Sequence, residues 1–180
     1  MSPPAFLIRA AAALPVAAAL ASCASLDPSE RFPPVCPKTA ILADAADLTL
    51  FRGGGRDITD MVVNGRITGL SGKCALDDRE HLRTTISVGM DLTRGPAAPG
   101  RVVDVQYFVA VSEGDTILTK QDYTLHVAFA RNSDRERLTG DQVELVLPVT
   151  KEKSGVAYSV LVGFQLTPDQ LAFNRQRATR

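Results

Sequence analysis

From Val62 onward, apolar and polar positions alternate in segment after segment. Val62 to Ser71 forms one candidate strand, with Asn64-Gly65 read as a bulge or tight turn inside it. Leu82, Thr84, Ile86, Val88, Met90 and Leu92 keep a strict period of two, which places one face of a strand against a core. Gly95-Pro96-Ala97-Ala98-Pro99-Gly100 breaks the chain, and Val103, Val105, Tyr107, Val109 and Val111 resume the alternation. Ser112-Glu113-Gly114-Asp115-Thr116 reads as a hairpin connection, answered by Ile117 to Phe129 with Tyr123, Leu125, Val127 and Phe129 in step. After a polar stretch, Arg131–Gly140, come Val143, Leu145, Leu147 and Val149, then Tyr158, Val160, Val162, Phe164 and Leu166.

No helical pattern of 10–12 residues separates these segments, so the pattern does not suit a βαβ layout. The expectation is an all-β fold, an antiparallel β-sandwich of about seven strands of the immunoglobulin/fibronectin-like kind. One short helix is predicted at the C-terminal end. Thr167 can cap it, Pro168 suits its first turn and Gln170 completes a capping box.

The N-terminal pattern is different. Arg9 precedes an alanine-rich apolar run, Ala10 to Ala21, that is too short for the ~20 residues a spanning helix requires. Residues 1–22 therefore read as a signal peptide. Leu20-Ala21-Ser22-Cys23 stands where the run ends and resembles the lipobox of bacterial lipoproteins, in which small residues admit the backbone to a protease and the thiol takes the lipid. The resemblance implies a lipid-modified Cys23 and attachment to a membrane through it. Ala24 lacks the aspartate of inner-membrane retention, so the implied place is the outer membrane, facing the periplasm. Residues 23–37 hold four prolines, which oppose helix and suit an extended tether, leaving 38–180 for the sandwich.

Cysteine usage agrees with such a compartment. With Cys23 acylated, Cys36 and Cys74 remain as an even pair in an oxidising space, and a disulfide between them is expected. Two buried thiols or one reactive thiol are the alternatives.

Composition narrows the function classes. The chain has 180 residues, 45% hydrophobic and 22% charged, with 20 basic and 20 acidic side chains. A neutral chain with no basic stretch does not fit a nucleic-acid binder, which must neutralise phosphates. Two His and three Cys leave little for a metal site or a His-dependent triad, so no metal, cofactor or catalytic residue is expected.

Two clusters carry what chemistry there is. Phe51-Arg52-Gly53-Gly54-Gly55-Arg56-Asp57 brings two arginines beside three glycines, a combination able to approach and grip an anion. It lacks the Gly-Lys-Ser/Thr of a phosphate loop and reads otherwise as a surface loop. Asp77-Asp78-Arg79-Glu80-His81 gathers carboxylates and an imidazole, which reads first as a solvated connection between strands. His126 falls on the polar register of its strand. The C-terminal segment offers Phe173 as an anchor with Arg175 at its rim.

The stretches 51–57, Tyr107-Phe108-Val109-Ala110-Val111 and Val162-Gly163-Phe164-Gln165-Leu166-Thr167-Pro168 resemble a family of small alphaproteobacterial envelope lipoproteins without assigned activity. The resemblance implies a lipidated envelope protein and transfers no catalytic residue. The leading expectation is a non-enzymatic binding or assembly module with an envelope protein partner, using Arg52, Arg56, Phe173 and Arg175. The alternative is a small-ligand carrier or enzyme that combines the Arg52–Arg56 loop with the Asp77–His81 cluster. One concave surface shared by both segments would favour it.

Overall fold

The computed structural model describes residues 35–77 and 81–178. The expected signal peptide, Cys23, the expected tether up to Pro34, and Asp78, Arg79, Glu80, Thr179 and Arg180 lie outside the described residues. Among the described residues nine strands are formed: β1 Lys38–Ile41, β2 Asp47–Phe51, β3 Met61–Leu76, β4 His81–Arg94, β5 Val102–Glu113, β6 Thr116–Ala128, β7 Arg135–Thr139, β8 Val143–Pro148 and β9 Tyr158–Phe164. One α-helix, α1 Pro168–Ala178, follows them among the described residues.

The strands make two sheets, one in the order β1-β9-β5-β6, the other in the order β2-β3-β4-β7 with β8 also paired to β4. The fold is an all-β sandwich with a short C-terminal helix, as the alternation predicts. Pairing is antiparallel except between β1 and β9, which run parallel. The core lies between the sheets. On β4 the whole alternating set Leu82, Thr84, Ile86, Val88, Met90 and Leu92 is buried, and it faces Val105, Tyr107, Val109 and Val111 of β5 and Tyr158, Val160, Val162 and Phe164 of β9. This period-two burial is what lets the sheets interdigitate. The Tyr158 hydroxyl donates to the Pro148 carbonyl at 2.6 Å, so the one polar atom of that buried ring is satisfied.

To the six segments in which alternation is legible the structure adds three strands, the five-residue β2 among them. β1 has four residues and takes its place from pairing with β9. β7 reads Arg-Glu-Arg-Leu-Thr and lies within the stretch expected to be a polar connection. It is an edge strand, and its exposed Arg137 holds Asp91 of β4 at 2.7 Å. Asn64-Gly65 is also different from its reading as a bulge or turn. Both residues pair in register with Thr49 and Leu48, while the register of β3 shifts between Ile67 and Gly69. Gly65 is there because of packing. A Cβ on it would run into the Leu92 side chain and stand 3.2 Å from the Phe164 ring of the opposite sheet. The Asn64 amide donates across to the Leu48 carbonyl at 3.1 Å and to the Thr49 hydroxyl at 3.0 Å.

Cys36 and Cys74 stand at disulfide distance, Cα atoms 5.8 Å apart over a separation of 38 residues. The pair ties the start of the body to the far half of β3.

Candidate functional site

The glycine-rich loop leaves β2 at Phe51 and returns to β3 through a single 3-10 turn, Ile58–Asp60. Gly53 has φ +62°, a left-handed conformation suited to a residue without Cβ. Gly55 leaves room for the Asp60 carboxylate, which a Cβ there would displace. The Arg52 amide donates to the Asp60 carbonyl at 2.8 Å, closing the loop at its base. The Arg52 guanidinium donates to the Ala97 carbonyl and so pins the loop to the 95–100 turn.

Helix α1 supplies the opposite wall. Its start is the predicted capping box: the Thr167 hydroxyl accepts from the Gln170 amide at 3.3 Å, and the Gln170 side chain accepts from the Thr167 amide at 2.8 Å. Farther along, the Asn174 amide donates to the Asp44 and Asp47 carbonyls, at 3.0 and 2.6 Å. The Arg175 guanidinium meets the Asp44 carboxylate at 2.7 Å. A helix of this length has little stability by itself, so these bonds and one aromatic contact fix it on the body.

That aromatic contact closes the floor of a cleft. Phe173 and Phe51 meet edge to face, centroids 5.4 Å apart. The Arg56 guanidinium lies 5.4 Å from the Phe51 centroid, and that of Arg177 lies 5.7 Å from the Phe173 centroid. Arg56 also donates to the Gly55 carbonyl at 2.7 Å. The cleft holds about 200 Å³ between the loop and the helix, with Phe51, Arg56 and Phe173 beside Thr49, Asp169 and Gln170.

The four residues singled out in the sequence thus come together at one place with two kinds of role. Arg56 and Phe173 line the cleft. Arg52 and Arg175 brace its walls, their guanidinium groups engaged with Ala97 and Asp44. Sequence reading missed Thr49 and Gln170 as lining and missed Phe51 as the partner of Phe173. Gln170 was legible only as a cap. The lining offers a cation, a carboxylate, hydroxyls, an amide and two aromatic faces, a set suited to recognising a partly apolar, partly charged segment.

The Asp77–His81 segment stands elsewhere. The 51–60 loop enters β3 at Met61, whereas Asp77 follows its other end, Leu76. Along a strand of 16 residues that separation is roughly 50 Å. The segments combined in the carrier-or-enzyme alternative therefore do not share a concave surface within the described residues. At the far end, the Asp77 carboxylate accepts from the His81 amide at 2.9 Å and from Arg83 at 3.4 Å, the bonding of a turn. His126 is exposed on β6 and pairs with Asp104 across the strands at 2.6 Å. A second hollow of about 280 Å³ lies beside Cys36 and Cys74, with the buried Thr84 hydroxyl in its wall lacking a hydrogen-bond partner.

No family model matches the chain, and neither a curated protein nor a solved structure does.

Proposed function

We propose that this chain is a lipid-anchored, non-enzymatic binding or assembly module of the cell envelope, attached through Cys23 to the outer membrane and facing the periplasm. The sequence Leu20-Ala21-Ser22-Cys23 after a short apolar run supports the anchor. Among the described residues no helix is long and apolar enough to cross a membrane. The observation that carries the binding reading is the cleft of Phe51, Arg56 and Phe173, built from a braced loop and a docked helix. Its occupant is a segment of an envelope protein presenting an apolar side chain to the aromatic floor and an acidic group to Arg56.

Two measurements test this. A photoreactive side chain at Asp169, on the exposed rim of the cleft, should yield a discrete protein adduct in whole cells, and Arg56→Glu should abolish it. A probe at Glu136 on β7 serves as the distant control. No adduct at Asp169, or one that survives Arg56→Glu, refutes the cleft as the binding site. Incorporation of an alkyne-tagged palmitate should disappear in Cys23→Ser; label that persists in this variant refutes the anchor.

A further inference from the structure

The outer edge of the first sheet is its longest edge strand. β6 has thirteen residues and, among the described residues, pairs with β5 alone. The opposite edge of that sheet is the four-residue β1, and in the other sheet the edge strands β2, β7 and β8 have five, five and six residues. Proteins blunt long edges with proline, bulges, inward charges or edge charges such as lysine, because unpaired N–H and C=O groups recruit another strand. The charges on β6, Lys120 and Asp122, are of opposite sign and so able to pair across a joint. β6 contains no proline, and its register shifts only near its start, opposite Val111 and Ser112. Residues 116–122 are exposed along their whole length, with Ile117 and Leu118 about half accessible, at 53% and 49%.

The hydrogen-bond phase of this edge can be read from its end. The Phe129 amide donates to the Arg101 carbonyl at 2.7 Å, in register with Val103↔Val127. Bonded pairs recur at every second residue of an antiparallel ladder, so Val127, Leu125, Tyr123 and Gln121 bond inward to β5. The peptide groups of His126, Thr124, Asp122 and Lys120 therefore point away from the sheet.

We infer that β6 pairs with β6 of a second copy of this chain, antiparallel, across a two-fold axis at Gln121. In this register the outward peptide groups of Lys120 meet those of Asp122 in the other copy, and the reverse, which gives two cross-strand charge pairs. Ile117 comes opposite Leu125. Moving the axis to Asp122 sets carboxylate against carboxylate, and moving it to Lys120 sets ammonium against ammonium, so charge disfavours both neighbouring registers. The Gln121 axis is the one that forms two Lys–Asp pairs. In the single chain Lys120 donates to the Gln165 side chain at 2.7 Å and lies 4.8 Å from the Phe108 ring centroid, and it also pairs with its own Asp122 at 2.7 Å on the same face of the strand. Pairing exchanges that contact for one across the joint. The two four-stranded sheets then continue as one.

The test uses the full-length chain in its membrane. Gln121→Cys places two thiols at a non-hydrogen-bonded pair, where Cα atoms stand about 4.5 Å apart and a disulfide can close. Mild oxidation should give a covalent dimer on a non-reducing gel, while Thr119→Cys, two positions from the axis, should not. Asp122→Lys should reduce cross-linking of the Gln121→Cys chain about tenfold, and adding Lys120→Asp should restore it, because the charges are then only exchanged. The same series followed by sedimentation of the detergent-extracted chain, without the engineered cysteine, should read dimer, monomer, dimer. A monomeric parent chain, or an Asp122→Lys variant that dimerises as well as the parent, overturns the inference.

Discussion

The Phe173 ring meets the Phe51 ring edge-on, with their planes at 82°, so the C-terminal helix and the glycine-rich loop share one aromatic contact. Such a pair contributes about 0.5–1.5 kcal/mol beyond its buried area. Phe173 lies outside the main core between the sheets, so its loss should free the helix without opening the sandwich. Phe173→Ala is expected to lower stability by about 1–2 kcal/mol. Hydrogen exchange should rise sharply over α1 and hardly at all in β4 and β9. Unchanged exchange over α1 would show that the ring does not hold the helix.

The Cys36–Cys74 closure acts on a different part of the chain. A cross-link spanning 38 residues restricts the unfolded chain by about 4 kcal/mol in the loop-entropy account. Cys36→Ser with Cys74→Ser should show this loss in a denaturant titration, and a reductant should bring the parent to the same midpoint. A parent that ignores reductant would mean the two thiols are not joined.

The parts of this fold legible in the sequence are those governed by local periodicity. On β5, Val103, Val105, Tyr107, Val109 and Val111 are all buried, as alternation demands, and Thr167 with Gln170 forms the cap their spacing announces. β7 was hidden because an edge strand with mostly exposed residues has no apolar face to display. Gly65 is not legible locally, because Asn-Gly is a turn signal in sequence. The reason for this glycine is the Leu92 side chain of the neighbouring strand, with the Phe164 ring of the other sheet just beyond. The site was half legible. Its residues stand out by type, but which arginines brace and which line follows from contacts with Ala97 and Asp44, distant in sequence.

The glycine argument gives a sharp contrast. A methyl group at Gly65 must displace Leu92 and crowd Phe164, both fully buried, so Gly65→Ala should cost about 1–3 kcal/mol. Gly69, four positions along the same strand, has open space where its Cβ would stand. Gly69→Ala should be neutral or stabilise by a few tenths of a kcal/mol up to about 1. Thermal denaturation of the two variants measures the difference. Equal melting temperatures would mean that the sheets part easily at Gly65 and that the packing is looser than these contacts require.

Acid stability should depend on carboxylates at the charged edge. The Asp91 carboxyl is held below its ordinary 3.8, first by the hydrogen bond from Arg137 and further by the charges of Arg137 and Arg135, against an opposing effect of desolvation. Asp134 is lowered from the same value, first by its hydrogen bond from Arg94, with the charges of Arg94 and Arg101 adding. For a group whose pKa is lower in the folded chain, the unfolded chain takes up the proton first. The stabilisation is therefore complete above 3.8 and is lost as pH falls through that value toward the lower folded one. Asp91→Asn with Asp134→Asn should make the decline in melting temperature between about pH 5 and pH 2 shallower than in the parent. Near neutral pH the variant should melt slightly lower, and high salt should narrow that gap because these pairs are solvent-facing. Parallel curves across the acid range would show that neither ion pair contributes to the stability of the folded chain.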